Sequence, residues 1–179
     1  ASDSAQLLAD GWVPRAFSEA GLLGAFDADG VVLGDRNEAG PLFGDRANVL
    51  GISNPEDFVK RAAQMTAADG RPANPALAHI VDVQNNMRSA ARSMLERKLD
   101  KIDPGGDFPK TGFAAQLRSA ARIIVADMDV PAIKVSLTGF DTHRGQYDAH
   151  ARLLGELAGG LAAFARAMQK KGLWDRVLV

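Results

Sequence analysis

The chain has 179 residues, enough for one domain with a sizeable core, and 46% of them are hydrophobic, a globular rather than a disordered composition. Its 21 basic and 22 acidic residues leave a net charge of −1, and aromatics are only 6%, so neither a nucleic-acid platform nor an anionic-membrane partner is indicated. The absence of cysteine excludes disulfides, thiolate metal sites and a cysteine nucleophile.

No apolar run approaches the roughly 20 residues of a membrane helix. The opening ASDSAQLLADGW has neither the basic nor the apolar region of a signal peptide. Residues 1–26 read as helical, with Leu7, Leu8, Trp12, Phe17, Leu22, Leu23 and Phe26 as apolar points; Pro14 suits a start and Gly21 a stop. Residues 27–51 read as irregular, with turn residues interrupting two short apolar pieces, Val31–Leu33 and Val49–Leu50, that supply one or two short strands. Asp27 and Asp29 before Gly30 resemble the start of a calcium loop, but the later ligands, including the closing Glu, do not fit its spacing. A simple turn is the reading there.

Asn54-Pro55-Glu56-Asp57 is a helix start: Asn54 can cap, Pro55 fits the first helical position, and the acids suit the positive end of the dipole. This helix is expected to carry Phe58, Ala62 and Met65 inward and to end near Gly70. The pattern repeats at Asn74-Pro75. Leu77, Ile80, Gln84, Met87, Ala91, Met94 and Leu95 then keep helical spacing to about Leu99. His79, Asn85, Asn86 and Arg88 lie around that helix, as expected of a solvated or partner-facing side. Asp103-Pro104-Gly105-Gly106-Asp107 is a loop, and it lacks the Gly-Lys-Ser/Thr of a phosphate cradle.

Thr111 can cap the next helix, which buries Phe113, Leu117, Ala120, Ala121 and Ile124 and ends by Asp127 to Asp129. Pro131 leads into a strand at Ile133–Leu137. A second long helix runs from about Gln146 to Lys171, with Leu153, Leu157, Leu161, Phe164 and Met168 as one buried stripe. Gly155 and Gly159, four apart on an adjacent face, are expected to allow close packing, and Gly172 to stop the helix. LWDRVLV, residues 173–179, reads as another strand. The chain is therefore expected to be α/β: residues 1–106 a mainly helical portion, and residues 107–179 a helix-strand-helix-strand core with a small parallel sheet and right-handed crossover helices.

The chemistry concentrates between Gly139 and His150. A strand that runs into polar residues and then a helix presents functional groups at its carboxyl end. Asp141 and His143 are two apart, so on extended backbone both side chains point the same way. A carboxylate oxygen and an imidazole nitrogen can share one divalent metal, such as zinc or manganese. Gln146 and Asp148 can hydrogen-bond a metal-bound histidine or a substrate, and His150 can face the same pocket. The alternative is that Asp141 caps a turn, His143 is an ordinary loop histidine and His150 is exposed. Ser136, Thr138 and Thr142 are near, but none stands in a Gly-x-Ser-x-Gly elbow.

The stretch VSLTGFDTHRGQYDAHARLLGELAGGLAAFARAMQKKGLWDRVLV resembles the C-terminal half of a bacterial family known as domain of unknown function 1501 (DUF1501). The family pattern is a strand, Gly-Phe/Trp-Asp-Thr-His, a Gln, then a helix ending in Gly-Leu-Trp-Asp. The preceding FAAQLRSAARII matches its usual lead-in, and DGWVPRAF and NPEDFVKRA are compatible upstream. The resemblance implies a fold similar to the alkaline phosphatase and sulfatase superfamily, an α/β sandwich with metal ligands at strand ends. It also implies twin-arginine export to a periplasmic or cell-surface setting. Asp141 and His143 match the family's Asp-Thr-His as metal-ligand candidates, for zinc, manganese or calcium, and Gln146 matches the Gln that follows.

The implied function is part of a metal-dependent phosphoric or sulfuric ester hydrolase acting on a small-molecule or surface ester. The alternative is a non-catalytic binding or surface-assembly protein of the same fold. The family's Gly-Gly-x-Asp-Gly, Ser-Glu-Phe-Gly-Arg and Asp-His-Gly segments do not occur in this sequence. The expectation is therefore an incomplete segment of a larger domain, inactive by itself.

Overall fold

The computed structural model describes residues 10–34, 39–64, 70 and 72–179. Among these residues three short strands, β1 (Gly30–Leu33), β2 (Val49–Ile52) and β3 (Ile133–Val135), form one parallel sheet in the order β2-β1-β3. Five α-helices pack around it: α1 (Trp12–Glu19), α2 (Pro55–Ala63), α3 (Pro75–Glu96), α4 (Gly112–Val125) and α5 (Gln146–Lys170). The fold is α/β, helix-rich with a small parallel sheet.

The central strand is β1, and its four residues are all buried. Burial on both faces is what an unbroken Val31-Val32-Leu33 run needs. On one face Val31, Leu33, Leu50, Ile52, Ile133 and Val135 join the larger core. That core is closed by Phe58 of α2, Met94 of α3, Phe113 and Leu117 of α4, and Phe164 and Met168 of α5. On the other face Val32, Val49 and Ala132 meet Val13 and Phe17 of α1 with Ala39 and Leu42. Successive side chains of β3 therefore point to opposite layers, with Ile133 and Val135 on one side and Lys134 on the other.

Local chemistry sets the helix ends. The Asn54 Oδ1 accepts from the Asp57 N–H at 3.2 Å, and the Asn74 Oδ1 accepts from the Ala76 N–H at 2.9 Å. The Thr111 Oγ1 accepts from the Ala114 N–H at 3.2 Å. Each satisfies a backbone donor that the first turn leaves unpaired. At the other end of α1, Gly21 takes φ 68°, and the Leu22 N–H returns to the Phe17 carbonyl at 2.8 Å. Gly172 repeats this after α5, with the Leu173 N–H on the Met168 carbonyl at 2.9 Å.

Several expectations are corrected. Residues 173–179 are not a strand: Trp174–Arg176 forms a 3-10 turn, and the Val177 N–H closes on the Trp174 carbonyl. Val177 is extended, but a strand exists only with a ladder partner, and the sheet ends at β3 on that side. Only one strand therefore comes from residues 107–179, and the other two, including the central one, come from residues 30–52.

α2 is Pro55–Ala63, followed by a bond from the Gln64 N–H to the Arg61 carbonyl, and the expected continuation toward Gly70 falls on residues 65–69, outside the described residues. α3 ends at Glu96, because Lys98 turns left-handed ahead of a 3-10 turn at Leu99–Lys101. Gly155 does not mediate close packing, since a Cβ there would meet nothing within 4 Å, and at Gly159 only Pro109 would come as close as 3.4 Å. The close approach is at Gly160, where a Cβ would stand 2.9 Å from the Phe113 ring. Leu7, Leu8 and Met65 lie outside the described residues, as does the side chain of Ala62.

Candidate functional site

β3 delivers the chain into the loop that carries the predicted site. Its carboxyl end is held by Gln116 of α4. The Ser136 N–H donates to the Gln116 Oε1 at 2.8 Å, and the Gln116 Nε2 donates to the Ser136 carbonyl at 3.2 Å. One side-chain amide thus replaces a missing ladder neighbour just past the last strand residue. The chain then leaves the sheet at Gly139, whose φ of 99° is open to glycine and strained for other residues.

Asp141 and His143 follow, and the structure brings them together. The Asp141 Oδ1 lies 3.9 Å from the His143 Nε2, with the two side chains 92% and 90% exposed. An ion about 2.1 Å from each donor in tetrahedral geometry needs them about 3.4 Å apart. The pair therefore fits two positions of a coordination sphere with a small side-chain adjustment. An oxygen and an imidazole nitrogen suit a borderline divalent ion. Among the described residues no group of three His, Asp or Glu side chains gathers around a metal position.

The other predicted residues are placed differently. Gln146 and Asp148 lie exposed in the first turn of α5, where the Asp148 carboxylate complements the positive end of the helix. His150 is half-buried and turns toward the loop. Its Nε2 stands 2.9 Å from the Phe140 carbonyl and 3.4 Å from the Thr142 Oγ1, and its ring packs on Phe140 at a centroid distance of 5.7 Å. A carbonyl only accepts, so the Nε2 carries the proton and donates. His150 therefore fastens both ends of the segment that presents Asp141.

Two residues escaped the sequence reading. Lys134 is half-buried, and its Nζ donates to the Ser136 Oγ at 2.8 Å. Their spacing of two on a strand is the signal that pairs them on one face. The role of Gln116 depends on where α4 crosses β3, which no local pattern gives.

His79 lies far from this loop in the sheet order. It lines an open groove of about 550 Å³ between α3 and β2, together with Arg46, Asn48, Asp82 and Asn86. β2 and β3 are opposite edges of the sheet, so that groove and the Asp141 loop are separate features. Among the described residues no helix is long and apolar enough to cross a membrane.

Compared with known proteins, residues 2–179 match the model of a family described as protein of unknown function (DUF1501). No curated protein and no solved structure matches the chain.

Proposed function

This chain belongs to the DUF1501 family, and from that premise we propose that it forms part of an exported, metal-dependent hydrolase of phosphoric or sulfuric esters, with Asp141 and His143 as two of the metal ligands. The observation that carries this reading is their convergence, 3.9 Å apart on an open loop at the carboxyl end of β3. Strand ends of open parallel sheets are where such folds hold their ligands. The Asp141 carboxylate and the His143 imidazole would hold zinc, manganese or calcium. Such an ion polarises an ester oxygen and lowers the pKa of a bound water or hydroxyl. The residues of this chain hold the ligands in place: Gln116 fixes the strand end, and His150 fixes the loop. An alkaline phosphatase-like placement of the whole domain and a small-molecule or surface ester substrate belong to the same proposal.

Calorimetric titration with zinc and with manganese tests the ligand assignment. Saturable uptake that is lost in Asp141→Ala and in His143→Ala supports it. Uptake that survives both substitutions, or no uptake by the unsubstituted protein, sinks it. The Asp141 and His143 side chains are 92% and 90% exposed, and their removal leaves the thermal midpoint unchanged. A lost signal therefore reports ligation rather than unfolding.

A second reading is a binding or surface-assembly role without catalysis. The observation in its favour is on α3, where Leu77 and Ile80 are each 51% exposed. An apolar pair one turn apart on the outer face of a helix suits a partner. Leu77→Ser with Ile80→Ser leaves metal uptake intact and abolishes any concentration-dependent self-association seen by sedimentation, if this reading holds.

A further inference from the structure

We infer that Lys134 and Ser136 form an anion-binding pair that contacts a non-bridging oxygen of a phosphate or sulfate group. The ester class rests on the function proposed above, but the anion contact does not.

Four observations carry this. The Lys134 Nζ lies 2.8 Å from the Ser136 Oγ, and both residues are half-buried at the carboxyl end of β3. An ammonium has three N–H donors and a hydroxyl has one. With one ammonium proton on the Ser136 oxygen, two N–H groups and the Ser136 hydroxyl proton are left for a ligand. Hydroxyl donation is strengthened by the cation bonded to its oxygen.

The hydroxyl is also held in place. Gln116 engages both the N–H and the carbonyl of Ser136, so the main chain beneath the hydroxyl is tied to α4. A donor fixed by its surroundings loses little freedom when a ligand binds.

The pair sits on the face of the sheet opposite the larger core. Lys134 is registered against Val32 of β1, on the layer closed by α1 and the Gly40–Leu42 turn. At Gly40 a side chain would begin 3.9 Å from the Lys134 Cε, and the glycine leaves that space open.

The charge is available as well. Among the described residues no carboxylate forms an ion pair with Lys134. A point-charge ammonium beside a hydroxyl is suited to the three-oxygen face of a tetrahedral oxyanion. Four residues separate Ser136 from Asp141, so the anion contact and the metal-ligand pair leave the same strand end.

The test is a titration of the isotope-labelled chain with inorganic phosphate, and separately with sulfate, in metal-free buffer with a chelator, read by amide chemical shifts. Saturable shifts centred on residues 134–137 are expected with at least one of the two ions, and the ion that binds more tightly identifies the ester class. Lys134→Met weakens that binding by roughly tenfold or more, as expected for losing a charged donor. Lys134→Arg retains it, which controls for folding, and Ser136→Ala weakens it by a few-fold. The inference is overturned if neither ion gives saturable shifts at these amides, or if Lys134→Met binds as tightly as the unsubstituted chain. Because metal is absent throughout, its failure is distinct from failure of the metal titration.

Discussion

The Nε2 of His150 donates to the carbonyl oxygen of Phe140 across 2.9 Å, so the second turn of α5 holds the start of the loop that presents Asp141 and His143. The imidazole meets the Phe140 ring at a tilt of 55°, and the Thr142 hydroxyl stands 3.4 Å from the same nitrogen. A loop of this length with two exposed ligand candidates is thereby closed on itself, with no help from the sheet.

Replacing His150 with alanine removes that closure. The expected stability loss is about 1 kcal/mol, the net worth of one hydrogen bond and a ring contact. The larger effect is local: amides of residues 139–145 exchange faster with solvent while those of α4 and α5 are unchanged. Hydrogen exchange read by mass spectrometry checks it, and uniform protection in the variant contradicts the role assigned to His150.

Gln116→Ala releases Ser136 on both sides of its main chain. Two hydrogen bonds at a half-buried strand end are lost, and the expected cost is about 1–3 kcal/mol. The measurement is a urea midpoint together with exchange of the Ser136 amide. That amide is protected in the unsubstituted protein, and its protection disappears in the variant.

Two glycines of α5 give opposite outcomes. Gly155 faces open space, so Gly155→Ala gains helix propensity and raises stability by about 0.5–1 kcal/mol. At Gly160 a Cβ would come to 2.9 Å from the Phe113 ring and 3.0 Å from a Leu117 methyl. Gly160→Ala forces α4 and α5 apart and lowers stability by about 1–3 kcal/mol. Thermal unfolding of the two variants side by side distinguishes them by sign.

Asp29 is the buried charged residue that ties the segment before β1 to the segment before β2. Its Oδ1 accepts from the Gly24 N–H at 2.7 Å and its Oδ2 from the Asn48 N–H at 2.8 Å. Asp29→Ala leaves both donors without an acceptor and is expected to cost about 2–4 kcal/mol. Asp29→Asn keeps one acceptor oxygen and loses less. Denaturant unfolding gives the order of the three proteins. Both oxygens of the carboxylate are engaged by backbone N–H groups.

Much of the helical architecture was legible because its signals are local. Asn54, Asn74 and Thr111 cap the helices they precede, and Gly21 and Gly172 stop the ones they follow, through bonds that span two to five residues. The stripe of Leu153, Phe164 and Met168 is buried because helical periodicity places them together on one side. The strands at Val31 and Val49 were legible for the same reason, as short apolar runs between turn residues. Of the site, the convergence of Asp141 with His143 followed from a spacing of two.

What depended on distant partners was not legible. A strand needs a neighbour, and residues 173–179 have the composition of one but pair with none among the described residues. A glycine matters only for what faces it: Gly155 and Gly160 are alike in sequence, and only the crossing of α4 separates their roles. His150 looked like a member of the site, and packing made it a fastener of the loop. By itself the sequence determined where the capped helices begin and that the Asp141 and His143 side chains lie near each other, because those outcomes are decided within a few residues of backbone. Only the tertiary structure decided that β1 is central, that Gln116 holds the end of β3, and that the Lys134 ammonium meets the Ser136 hydroxyl on the face opposite the larger core. Those depend on which segments of the chain are brought side by side.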